Sequence, residues 1–148
     1  MGYDVYYTRN NFINTRNKGI KELQDIFDCI DKYDIRDDDF IIKLTGRYIL
    51  DTDSEFMEHV KDLHSSNKDC ILKFGGFYDP KDYQMEDCIT GVIGMRCRFV
   101  KQIALPTYEE NVEWKWAAAT YLIDDDKIQK VNKLGISICP GCNTYFKI

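Results

Sequence analysis

The chain has no long apolar run. Nothing in it approaches the roughly 18 consecutive apolar residues that a bilayer-spanning helix requires, so no membrane span is expected. It is also short of positive charge: 20 Lys and Arg stand against 25 Asp and Glu, a net charge of -5. Nucleic-acid binding leans on a basic footprint, so no nucleic-acid partner is expected, although the balance leaves room for a local basic pocket. There are 3 prolines and 2 histidines. Pro80, Pro106 and Pro140 mark turns or element ends, and His59 and His64 miss the i,i+4 spacing of a helical metal pair. The chain shows no repeat, no low-complexity tract and no Pro/Gly/Ser linker. Residues 1–5 lack a basic region followed by an apolar core, so they do not read as a secretion signal. Without such a signal, the 6 cysteines read as free thiols in a reducing compartment rather than a disulfide framework, and a cytoplasmic location is expected.

What is present suffices for one packed domain spanning residues 1–148. Apolar residues make up 44% of the chain and aromatics 14%, enough for a single core. Residues 4–8 are rich in β-formers and predict a strand. From Lys18, the residues Ile20, Leu23, Phe27 and Ile30 recur at helical spacing and predict a helix to about Tyr33. Phe40, Ile41, Ile42 and Leu44 read as a buried parallel strand. Asp53 or Ser54 caps a helix through Phe56, Val60 and Leu63. Residues 70–74 predict a strand ending at Gly75-Gly76, 89–95 another, 96–103 a short helix and 108–123 a longer one. Short β pieces are expected near 128–131, 136–139 and 144–148. Strands alternating with helices imply an α/β, three-layer architecture around a mainly parallel central sheet, with ligands beyond the carboxyl ends of the strands.

The segment Lys43-Leu44-Thr45-Gly46-Arg47-Tyr48 falls at such an end. Thr45 offers a hydroxyl and Gly46 a close backbone approach. Arg47 suits bidentate grip of a phosphate and Lys43 acts as a point charge, so a diphosphate fits; a plain surface turn would instead pair these cations with nearby acids. Asn17 and Lys18 enter a helix whose free N–H groups favour anions, or Asn17 simply caps it. Asp51 and Asp53 have the spacing of carboxylates that hold a divalent cation on a nucleotide-sugar, and equally suit a helix start. Glu110 and Glu113 share a helix face. Either can serve as general base toward a sugar hydroxyl, or both can complement the helix dipole. Asp87 is a candidate for orienting a sugar or a catalytic partner, or is a solvated turn acid. Cys139 and Cys142 form a lone CxxC, whereas a structural zinc site needs a second pair. Trp116 reads as core, and Trp114 as core or as an exposed sugar-stacking face.

The pieces NNFINTRNKGIKEL, DDDFIIKLTGRYIL, EDCITGVIGMRCRFVKQI, EENVEWKWAAATYL and KLGISIC occur in an order that resembles a family of glycosyltransferase-like proteins from viruses and bacterial capsule loci. The resemblance covers nearly the whole chain from Tyr7. Arg16-Asn17-Lys18-Gly19 is similar to the polar turn that enters a helix in glycosyltransferases of the GT-A fold. Residues 91–98 and 109–113 are similar to that fold's Gly-containing strand, basic segment and acid-opened helix. The resemblance implies a truncated GT-A domain that lacks its usual first nucleotide-binding strand. It implies a nucleotide-sugar donor, a glycan acceptor and inverting transfer, in the host cytoplasm for a viral member. Lys43, Thr45, Gly46, Arg47, Tyr48, Asn17 and Lys18 would surround the diphosphate, Glu113 or Glu110 would act as base, and Asp87 would hold the sugar or acceptor. No cofactor is required, with manganese or magnesium at Asp51 and Asp53 as an additional expectation. KLTGRY stands where the family carries Asp-x-Asp, so cations replace carboxylates there. A shortened domain gains from a partner chain, which makes a homo-oligomer an expectation too. The alternative is a non-catalytic module that binds a nucleotide or glycan, or an inactive fragment of such an enzyme.

Overall fold

Helices begin where the sequence offers both a cap and an apolar face. In the computed structural model, which describes residues 4–8, 17–46, 48–75, 87–138 and 146–147, Asn17 caps α1 (Lys18–Lys32) by accepting from the Gly19 and Ile20 N–H groups. Leu23 and Ile30 are buried on the face that the spacing predicts. Ser54 caps α2 (Glu55–Lys61) through the Met57 N–H, and its hydroxyl donates to the carbonyl of buried Leu134. Then come α3 (Leu63–Ser66), α4 (Cys97–Val100) and α5 (Val112–Ala119), the last continued by a 3-10 turn over Thr120–Leu122. Helix α5 starts later than its apolar pattern suggests. The Glu110 carboxylate accepts from the Thr107 N–H at 2.8 Å, and this local side-chain bond closes a turn that competes with helix.

The strands are β1 (Phe40–Leu44), β2 (Tyr48–Leu50), β3 (Cys70–Leu72), β4 (Val92–Arg96), β5 (Ile128–Lys130), β6 (Ile136–Ile138) and β7 (Phe146–Lys147). One sheet has the order β1-β4-β3-β5 and a smaller one the order β2-β6-β7. The α/β class holds, but the central sheet is mixed. Strand β4 runs antiparallel to both β1 and β3, and only the β3–β5 ladder is parallel. Strands β1, β3 and β5 therefore point the same way, with a reversed strand inserted between the first two. The return from β3 to β4 is a local one: Phe74 bridges Cys88 antiparallel, Ile89 N–H donates to Lys73 O and Gly75 N–H to Asp87 O. An apolar run buried on both faces looks the same in either direction, so strand direction was not written in the sequence pattern.

Successive side chains alternate between two cores, as the pleat requires. Ile41, Cys70, Leu72, Ile93 and Met95 pack with Leu23 of α1 and Val112 and Trp116 of α5. Phe40, Ile71 and Val92 pack on the other face with Phe56 of α2, Leu134 and Ile136. Helices cover one face of the central sheet; α2 and the small sheet cover the other. Residues 4–8 form no strand. The Thr8 hydroxyl donates to Asp25 and the Tyr6 ring meets Tyr33 edge-on at 6.1 Å, so this segment is tied to the outer side of α1. Among the described residues no helix is long and apolar enough to cross a membrane.

Candidate functional site

The carboxyl ends of β1, β3 and β5 and the start of β4 share one edge of the central sheet, which follows from their pairing. At β1 this edge carries a tight turn. Tyr48 N–H donates to Thr45 O at 3.0 Å, the i to i+3 bond of a β-turn, with Gly46 and Arg47 between them. Thr45 is fixed on both sides: its N–H donates to Gly91 O at 3.0 Å and its hydroxyl to Glu22 Oε1 at 2.9 Å. The Tyr48 ring lies over Gly91, where an added Cβ would come within 2.8 Å of it. Among the described residues, its chain neighbours aside, a Cβ on Gly46 would meet nothing within 4 Å. No packing demand among them explains that glycine, and its backbone is exposed, open to an approaching group.

Lys43 is only 7% exposed. Its ammonium lies 3.0 Å from Glu22 Oε2 and donates to the Thr90 carbonyl. Burial pushes it below the ordinary lysine value, while the Glu22 carboxylate works against that shift. This departs from the open point charge expected at this position. The cause is strand alternation: Lys43 shares the face of Ile41, and α1 and α5 roof that face. Thr90 extends the cluster, its hydroxyl donating to Glu113 Oε1 at 3.2 Å, while the Cys88 thiol donates to Glu113 O at 3.3 Å. Burial, then the charge of Asp87, pushes the Cys88 thiol well above its usual range, so it is inert as a nucleophile.

Beside this cluster an open cleft of about 460 Å³ lies between residues 17–19 and 108–113. Its walls can meet because residue 19 is glycine, since a Cβ there would stand 2.6 Å from Val112 Cβ. Asn17 spends its side chain on structure: the amide oxygen caps α1, and Nδ2 donates to Thr107 O and Glu110 O at 3.1 and 3.2 Å. Lys18 lines the cleft and is exposed. Glu110 is held by Lys115 at 2.6 Å and by the Thr107 N–H, and these bonds draw its carboxyl down to about 2. A carboxylate so tied is a poor proton acceptor near neutral pH. Glu113, in the first turn of α5, faces both the cleft and Thr90.

Asp51 and Asp53 each already have a partner in the protein. Strand β2 carries them away from the turn, Asp51 Oδ1 accepts from Ser137 Oγ at 2.9 Å, and Asp53 pairs with Lys133 at 2.6 Å. Among the described residues no three His, Cys, Asp or Glu stand close enough to hold a metal. Asp87 turns back on the chain and accepts from its neighbour's N–H at Cys88. The expectations for Arg16, Arg47, Gly76, Cys139 and Cys142 concern positions outside the described residues. Cys29, Cys70, Cys88 and Cys97 are free thiols.

Three-dimensional proximity adds Glu22 and Thr90, which sequence reasoning passed over. Glu22 looks like any charge between the apolar positions of an amphipathic helix. Thr90 sits in an apolar strand pattern where threonine is an ordinary β-former. Its one distinguishing mark is the glycine that follows it. No family model, curated protein or solved structure matches this chain.

Proposed function

We propose that the chain is a shortened GT-A-type glycosyltransferase domain that moves a sugar from a nucleotide-sugar to a hydroxyl of a glycan acceptor. The observation that supports this most is the meeting, at one sheet edge, of the Thr45–Tyr48 turn with Glu113 through Lys43 and Thr90. An anion-accepting turn beside a carboxylate is what such a transfer needs. Three of four central strands pointing one way agree with the proposed fold.

The diphosphate is assigned to the Gly46 backbone and to Arg47, with Lys18 as a second cation. Lys43 and Glu22 position Thr45 and Thr90 and do not contact the ligand. Glu113 is the base. The acceptor hydroxyl gives its proton to the Glu113 carboxylate as its oxygen bonds to the anomeric carbon. The bond from that carbon to the diphosphate oxygen breaks, and its electron pair leaves with the nucleoside diphosphate. No step passes through Asp51 or Asp53.

Calorimetry with UDP, GDP and their sugars, with and without manganese, tests the assignment. Micromolar binding that fails in Arg47→Ala is expected, together with Glu113→Gln protein that binds donor and does not turn it over. Failure of every nucleotide to bind overturns the donor assignment. Full turnover by Glu113→Gln removes the base.

A further inference from the structure

Thr90 stands between the half-buried carboxylate of Glu113 and the buried ammonium of Lys43. Its hydroxyl donates to Glu113 Oε1 at 3.2 Å, and its carbonyl accepts from Lys43. Opposite charges this close in a shielded place attract strongly, yet Glu22 intercepts the ammonium. Glu22 Oε2 lies 3.0 Å from Lys43 Nζ, and its Oε1 accepts from the Thr45 hydroxyl at 2.9 Å. With one oxygen on the lysine and the other on the turn after β1, the Glu22 carboxylate is held at both ends. Among the described residues no cation forms an ion pair with Glu113. Glu110 shows the opposite arrangement: Lys115 holds it at 2.6 Å, and Lys115 and then Thr107 draw its carboxyl down to about 2.

We infer that Glu22 is a positioning residue that takes up the charge of Lys43 and so leaves the Glu113 carboxylate free to accept a proton. The cluster sets one buried cation against two carboxylates. Were Glu22 neutral, the same ammonium would face Glu113 alone and weaken it as a base. Lys43 feels both acids: Glu22 and then Glu113 offset part of the fall that burial imposes on the lysine. Among the described residues, the other titratable groups around Glu113 are few. Lys18 and Glu109 line the same cleft, Glu110 is taken by Lys115, and Asp87 lies beside Cys88, which burial keeps uncharged. None of these links Glu113 to the turn after β1, whereas the path through Thr90, Lys43 and Glu22 does so by hydrogen bonds alone. The charge arrangement rests on these bonds; its use in catalysis rests on the transferase function proposed above.

Carboxyl NMR of protein with isotope-labelled glutamate reads the arrangement without any substrate; the Glu113 signal is the one missing from Glu113→Gln. Glu22→Gln keeps the shape of the side chain and removes its charge. In that variant the Glu113 signal is expected to titrate about one pH unit lower than in wild type. Lys43→Met should move it the other way, because Glu22 then repels Glu113 unopposed, and the double variant should return it toward wild type. In turnover of UDP- and GDP-sugars, Glu22→Gln is expected to lose a few-fold in kcat with donor Kd unchanged, since a weaker base takes the proton more slowly. No displacement of the Glu113 signal in Glu22→Gln, or one to higher pH, overturns the inference, and this variant decides even where Lys43→Met does not fold. Loss of donor binding in Glu22→Gln overturns it as well, because Glu22 would then act at the Thr45 turn. Displacement in a protein that turns over no nucleotide-sugar leaves the charge arrangement standing and removes the transferase, whereas turnover without displacement does the reverse.

Discussion

Lys43 shows how little of a charge's work is visible from its type. Its ammonium satisfies a buried carbonyl at Thr90 and a carboxylate at Glu22, and a buried pair of this kind contributes less to stability than to geometry, because desolvation offsets most of the attraction. Lys43→Met should cost about 1–3 kcal/mol, the usual loss when a buried acceptor is left without its donor. Adding Glu22→Gln should recover part of that, since the two sites couple. Urea unfolding of the single and double variants measures it, and strict additivity would rule the coupling out. Glu110 makes a pH prediction. Its carboxyl is drawn from 4.5 in the free group to about 2 in the fold, first by Lys115 and then by Thr107. Because the folded value is the lower one, its contribution is fully present above about 4.5, shrinks as pH falls and is gone below about 2. The gap in melting temperature between wild type and Glu110→Gln should close over that window. Gly46→Ala, with open space around the new methyl, should leave stability within about 0.5 kcal/mol while weakening nucleotide binding. A stability loss there would mean that the turn itself requires glycine.

At the scale of elements, the site depends on how closely α1 and α5 approach. The contact is made where Gly19 faces Val112, and a Cβ at 2.6 Å cannot be accommodated without moving one helix start. Gly19→Ala should cost about 1–3 kcal/mol, as overpacking does, and should widen the cleft. Thermal melting gives the first effect, and weakened nucleotide binding gives the second. Asn17 reinforces the same junction by capping α1 while holding the carbonyls of Thr107 and Glu110. The start of one helix thus fixes the approach to the next. Capping was legible in the sequence, because Asn before a periodic apolar run is a helix start. The second use of the same amide was not, since its partners lie about 90 residues away.

Across the whole molecule, Asp69 ties together parts that are distant in sequence. Its buried carboxylate receives Arg96 at 3.3 Å and Arg98 at 2.9 Å. Arg98 also reaches Asp38, and the Cys97 and Arg98 N–H groups donate to Asp39 O and Asp37 O. This joint pins the acidic 37–39 turn, the start of β3 and the end of β4 at the sheet edge opposite the candidate site. Asp69→Asn should destabilise by no more than about 3 kcal/mol: breaking a buried pair is costly, but Arg98 is partly open to water and its share is screened. A fall in the urea midpoint with an unchanged m-value would show this; no fall would mean that the arginines find other partners.

Local pattern alone determined that this chain is α/β, where α1, β1, β3 and α5 lie to within a few residues, and which face of α1 is buried, but not that Ile42 and Leu44 of β1 stand exposed. These follow from periodicity and capping, which act over a few neighbours. The direction of β4, the burial of Lys43 and the recruitment of Glu22 and Thr90 were decided by tertiary structure. Each depends on which face of a strand a distant helix covers, and a strand buried on both sides has the same composition whichever way it runs.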